Sequence, residues 1–113
     1  MNILHLSTSC SFNSAVYRLH SSLINEGVNS KILTLTSDIH DTQVIKMEKV
    51  SDIVFAKIGN KIDKLSLNKY KYRSSPFSSS LVSYSSTLKY INEINPDIVV
   101  LHWINAGFLS IDQ

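Results

Sequence analysis

The residues best equipped for chemistry fall at two places in the chain. One is the run His102-Trp103-Ile104-Asn105, which offers an imidazole, an indole and an amide directly after the apolar stretch Ile98-Val99-Val100-Leu101. The other is the hydroxyl-rich segment Ser7-Thr8-Ser9-Cys10-Ser11-Phe12-Asn13-Ser14, which follows Ile3-Leu4-His5-Leu6. Hydroxyls, amides and imidazoles bind sugars and phosphates by hydrogen bonding, and in open parallel sheets such groups gather beyond the carboxyl ends of the strands. Ser9, Ser11, Asn13, His102 and Asn105 are therefore the candidate ligand-binding residues. The simpler reading of residues 7–14 is a polar turn that caps a helix, and His102 at the end of a buried strand could equally serve to satisfy a backbone carbonyl. Trp103 is expected to pack.

Other chemistries find less support. The first loop contains neither G-x-G-x-x-G nor G-K-[ST], so the dinucleotide and P-loop fingerprints are both missing. His5 and His20 lack a Cys, Asp or Glu at ligand spacing, and no metal site is expected. No cofactor is called for. Cys10 has no evident activating partner and reads as a small packed side chain.

These residues need elements to hold them. Asn2-Ile3-Leu4-His5-Leu6-Ser7 reads as a buried parallel strand ending at a polar cluster. Phe12, Val16, Leu19 and Leu23 then mark one face of a helix over residues 14–26, with Ser11 or Asn13 as N-cap and Gly27 as its stop. Ser-Lys-Ile-Leu-Thr-Leu-Thr at 30–36 gives a second strand and completes a βαβ unit with a right-handed crossover. Residues 37–48 read as polar loop, with room for a short strand over 43–47. Between 49 and 72, Val50, Val54, Ile58, Ile62 and Leu65 share one helical face. Pro76 and Ser78-Ser79-Ser80 mark an exposed connection, and Leu88, Ile91 and Ile94 mark a short helix stopped before Pro96. Residues 97–103 form the most apolar strand, expected at the sheet centre beside the first. Ser110-Ile111-Asp112-Gln113 has the form of a capping box, so the sequence stops where a helix is expected to begin and reads as a fragment.

Composition bounds the possibilities. The chain has 113 residues, 43% hydrophobic and 18% charged, with three Gly and two Pro, as in an ordinary folded domain. A net charge of +2 is too weak for a dedicated nucleic-acid binder. A single cysteine and the lack of a signal-like start or long apolar run predict a cytoplasmic chain. Eight of the eleven basic residues lie between Lys46 and Arg73, against three acids. Lys57, Lys61, Lys64, Lys69, Lys71 and Arg73 thus form either a solvated helix face or a surface for anionic lipid at the inner face of a membrane.

Two segments carry a family resemblance. Met1-Asn-Ile-Leu-His-Leu-Ser-Thr-Ser with Ala15-Val-Tyr-Arg-Leu-His20, and Asn95-Pro-Asp-Ile-Val-Val-Leu-His-Trp-Ile-Asn-Ala-Gly-Phe-Leu-Ser-Ile111, are similar to the N-terminal domain of family 4 glycosyltransferases, the retaining GT-B enzymes of bacterial polysaccharide assembly. The second segment is the more specific, matching N-P-D-[IV]-[IV]-x-[LV]-H-W-x-N-x-G-[FY]. Between about 37 and 87 only element order supports the likeness. The resemblance implies an α/β, Rossmann-like sheet of three or four mostly parallel strands with helices on both faces, so that residues 1–113 form the partial, acceptor-side N-terminal half of a GT-B fold. It implies transfer of a sugar from a nucleotide-sugar to a saccharide or lipid-linked acceptor. The donor would be held by a C-terminal domain with an E-x7-E motif, a pattern these 113 residues do not contain, so the chain by itself is expected to be inactive. The family's first loop carries glycines, whereas this chain has Ser11-Phe12-Asn13-Ser14, and bulky Phe12 hinders close backbone approach. His102 and Asn105 keep the family pattern.

Two further readings compete. A stand-alone binding or scaffold module that pairs with another chain predicts an exposed apolar edge and oligomers. A flavodoxin- or receiver-like domain fits less well, because a receiver needs clustered acids at strand ends and none follows Leu6 or Leu101.

Overall fold

A computed structural model of the chain describes residues 1–47, 54, 58, 61, 62, 65, 85–104, 108 and 109. Within them the order is β1 (Asn2–Cys10), α1 (Ala15–Asn25), β2 (Asn29–Ser37), β3 (Val44–Lys46), α2 (Ser85–Ile94) and β4 (Ile98–Leu101). The four strands form one sheet in the order β3-β2-β1-β4 with every pairing parallel. This α/β arrangement is compatible with a Rossmann-like fold. As expected, β1 lies between β2 and the strand that begins near Asp97.

β1 and β2 are longer than their apolar runs. The ladder continues through Ser9 opposite Thr36 and Cys10 opposite Ser37, so Ser9 is a strand residue rather than part of a loop. Backbone pairing holds this polar extension, which hydrophobic patterning does not reveal. β3 joins β2 through Ile32 opposite Val44 and Leu33 opposite Ile45. Local polar chemistry sets its approach: the Asp41 carboxylate accepts from the Gln43 amide at 2.9 Å and the Ser37 hydroxyl from the Ile39 amide at 3.0 Å.

The ends of α1 differ from expectation in one respect. Ser14, rather than Ser11 or Asn13, is the N-cap: its backbone is extended and its hydroxyl accepts from the Tyr17 amide at 3.3 Å. The same hydroxyl donates to the Ser11 carbonyl at 2.6 Å. At the other end Gly27 takes the left-handed conformation, with φ 77°. The buried face of α1 comprises Val16 and His20, whereas Leu19 of the anticipated apolar stripe is exposed. α2 stops at Asn95, whose φ of 46° turns the chain ahead of Pro96. Asp97 then registers β4 on β1, accepting from the Asn2 amide through its carboxylate at 2.6 Å while its own amide donates to the Asn2 carbonyl at 2.9 Å.

Alternation along the strands gives the sheet two unlike faces. Leu4, Leu6, Leu33 and Met47 are buried with Phe108 and Leu109, and Tyr90, Ile91 and Ile94 of α2 pack against them. The Thr87 hydroxyl donates to the Phe108 carbonyl at 3.0 Å, fastening α2 to the stretch beyond β4. The other face lies under α1 and carries Cys10, Val16, Ile32, Ile39 and Val44 beside the buried polar residues His5, Ser7, His20, Ser30 and Thr34.

Among the described residues the sheet-centre expectation for residues 97–103 fails: β4 is one of the two outer strands, and Ile98, Val99 and Leu101 are 44%, 40% and 52% exposed. An apolar sequence registers the need for cover, not which element supplies it. The described positions of the 49–72 segment, Val54, Ile58, Lys61, Ile62 and Leu65, are helical as the periodicity indicates, yet all are exposed. Lys57, Lys64, Lys69, Lys71 and Arg73 lie outside the described residues, as does the expected helix start at 110–113. No helix among the described residues is long and apolar enough to cross a membrane.

Candidate functional site

The carboxyl ends of β1 and β4 lie side by side. Beyond Leu101 the ladder continues, with the His102 amide donating to the Leu6 carbonyl at 3.0 Å and the Thr8 amide to the Trp103 carbonyl at 2.7 Å. The Thr8 hydroxyl also donates to that carbonyl, at 2.6 Å. These bonds fix the direction of the His102-Trp103 backbone relative to the hydroxyl-rich end of β1.

The side chains there form a chain of aromatic rings beneath α1. Nδ1 of His5 lies 3.0 Å from Nε2 of His102, with the ring centroids 5.2 Å apart. His20 stands edge-on to His5, centroids 6.4 Å apart, and its Nδ1 lies 2.8 Å from the Ser30 hydroxyl. Tyr17 continues the row at 6.0 Å from His20, and exposed Phe12 meets Tyr17 edge-on at 5.3 Å. Burial disfavours the charged form of these imidazoles, because charging them would forfeit hydration. His5 is lowered most, from 6.5 to about 4, first by desolvation and then by the neighbouring His102 and His20. His20 and His102 are lowered by desolvation as well, with Asp41 opposing the shift at His20.

Among the described residues, then, the His102 ring serves no backbone carbonyl, and its partner is another histidine. Nor does Trp103 pack as expected. It is 63% exposed. Trp103 lies two residues past β4, one of the two outer strands among the described residues, where hydrophobicity alone does not decide burial. His5 was missed for the opposite reason. A histidine within an apolar strand reads as incidental until the register places it beside His102.

The remaining sequence candidates lie at and just beyond the carboxyl end of β1. Ser9, Ser11 and Asn13 are exposed. Ser9 and Ser11 border a concavity of about 340 Å³ shared with Thr36, Ser37, Asp38 and Lys46, on the β2 side of β1. The hydrogen bonds among the described residues join Ser11 to Ser14 and His102 to β1, and none links these two groups. Asn105 lies outside the described residues. Cys10 is buried, its thiol pushed up chiefly by desolvation, as suits a packed side chain. The described residues contain no group of three or more His, Cys, Asp or Glu arranged to hold a metal ion.

Compared with protein-family models, curated proteins and solved structures, the chain matches none of them.

Proposed function

We propose that the chain is the acceptor-side half of a sugar-transferring enzyme of the GT-B kind, binding a saccharide or lipid-linked acceptor at the carboxyl ends of β1 and β4. The observation that carries this reading is that His102, in contact with His5, and the exposed Trp103 follow β4 at that end of a parallel sheet. Strand ends are where such sheets bind ligands. An exposed aromatic plane covers the apolar C–H face of a sugar ring while an adjacent imidazole meets a hydroxyl, a division of labour that suits pyranosides. The segment resemblance built on residues 95–111 points the same way. Donor chemistry lies with a second domain in this reading, so this half binds and orients while transfer requires both.

The test is His102→Ala, followed by calorimetric titration with simple methyl glycosides and circular dichroism to establish that the fold is retained. The reading requires loss of binding in a folded variant. An unchanged titration would reject His102 as a ligand contact.

The exposed β4 edge favours a second reading, a module that pairs with another chain through that strand. Sedimentation across a concentration series separates the two: concentration-dependent association abolished by Val99→Lys supports pairing, whereas a monomer with glycoside affinity supports the acceptor site.

A further inference from the structure

The His5–His102 contact has room for one proton. At 3.0 Å between Nδ1 of His5 and Nε2 of His102, with both rings neutral, one nitrogen donates and the other accepts. There are two assignments. If His102 donates, the proton of His5 must sit on its own Nε2, which is buried and has no hydrogen-bond partner. That would leave an orphaned N–H in a fully buried residue, a rare and costly arrangement. If His5 donates from Nδ1, its Nε2 is a bare lone pair, and buried acceptors tolerate the lack of a partner better than buried donors. The second assignment fixes His102 as well. Its Nε2 accepts, so its proton is on Nδ1, and among the described residues that nitrogen has no hydrogen-bond partner and is not one of the buried unpartnered atoms.

We propose that His5 is a positioning residue that locks His102 in the Nδ1-protonated tautomer, so that His102 meets its ligand as a neutral hydrogen-bond donor to an oxygen and not as a base. The tautomer of one imidazole nitrogen is set by the bond the other makes, and here that bond comes from inside the core. The ligand group facing His102 is therefore an oxygen with an available lone pair, in a sugar hydroxyl or ring, or in a phosphoryl group. A proton leaving an acceptor hydroxyl would have to go elsewhere. His20 and Tyr17 are the other titratable groups in ring contact along this row, and His20 is occupied by Ser30. The ligand half of this inference rests on the acceptor-site reading, whereas the tautomer half does not.

Long-range proton–nitrogen correlation spectra of the histidine-labelled chain at neutral pH read the tautomers directly. The expected result is a protonated Nδ1 and bare Nε2 on both His5 and His102. A protonated Nε2 on His102 would overturn the lock. His5→Leu, which removes the internal donor, is expected to move His102 to the Nε2-protonated form, and His5→Asn, whose side-chain amide can donate from near the Nδ1 position, to restore it. Should His5→Leu fail to fold, the wild-type spectrum still decides the tautomer. Titration with methyl glucoside and, separately, inorganic phosphate then identifies the oxygen: movement of the His102 Nδ1 resonance by either supports the donor role and distinguishes saccharide from phosphoryl. No movement with both would overturn the ligand half and the acceptor-site reading, leaving the tautomer result intact.

Discussion

The two faces of one sheet do different work. Toward α2, Leu4, Leu6 and Leu33 meet Met47, Phe108 and Leu109 in an apolar cluster beside the Thr87 hydroxyl. Toward α1, the same strands present His5, Ser7, Ser30 and Thr34, all buried, with His20 above them. The apolar face gains stability from area removed from water and tolerates a range of side chains at constant volume. The polar face must pair its buried donors, while the bare Nε2 lone pair of His5 goes without a partner, so its residue types and geometry are tightly specified. It is also the face that reaches the surface at a candidate site, through His102. One layer holds the sheet together; the other transmits a defined hydrogen-bonding state from the core to the strand ends.

Breaking the apolar layer should have the largest effect. Phe108→Ala is expected to cost about 3–5 kcal/mol, from lost transfer energy and the cavity left behind, measured by urea unfolding. A result under about 1 kcal/mol would mean that Phe108 is not a core residue.

Acid should act on the polar face. His5 stays neutral in the folded chain down to about pH 4, whereas an unfolded chain protonates it near 6.5. Between those values the unfolded state binds more protons, so stability must fall as pH drops from 6.5 toward 4, by an amount on the order of 3 kcal/mol. Urea midpoints across this range give the slope, and His5→Asn should flatten it. Stability rising on acidification through this window would contradict the buried neutral cluster. A smaller effect belongs to the edge of that face: Ser14→Ala removes the N-cap of α1 and should cost about 1 kcal/mol.

The same contrast explains what could be read in advance. The βαβ start, the short helix before Pro96, the parallel strands and the position of β1 between its neighbours all followed from periodicity and turn residues. The carboxyl-end location of the candidate site followed from strand placement. Hydrophobic patterning could not show that β1 runs on through Ser9 and Cys10, because backbone pairing alone carries it there. It also placed the apolar β4 at the centre, since the pattern records a demand for cover without naming its source. The histidine pairing was hidden because His5 and His102 are 97 residues apart and only the β1–β4 register unites them. Trp103 was misjudged because hydrophobicity suggested burial, when it follows an outer strand of the described sheet.

Trp103 is the single tryptophan of the chain, so its fluorescence reports on the proposed site alone. Titrating the protein with methyl glycosides while following that emission tests the central claim most directly. Saturable quenching or a spectral shift, weakened in His102→Ala, is the expected result. Emission that stays unchanged up to high glycoside concentration, in a protein shown to be folded, would contradict a saccharide site at the ends of β1 and β4.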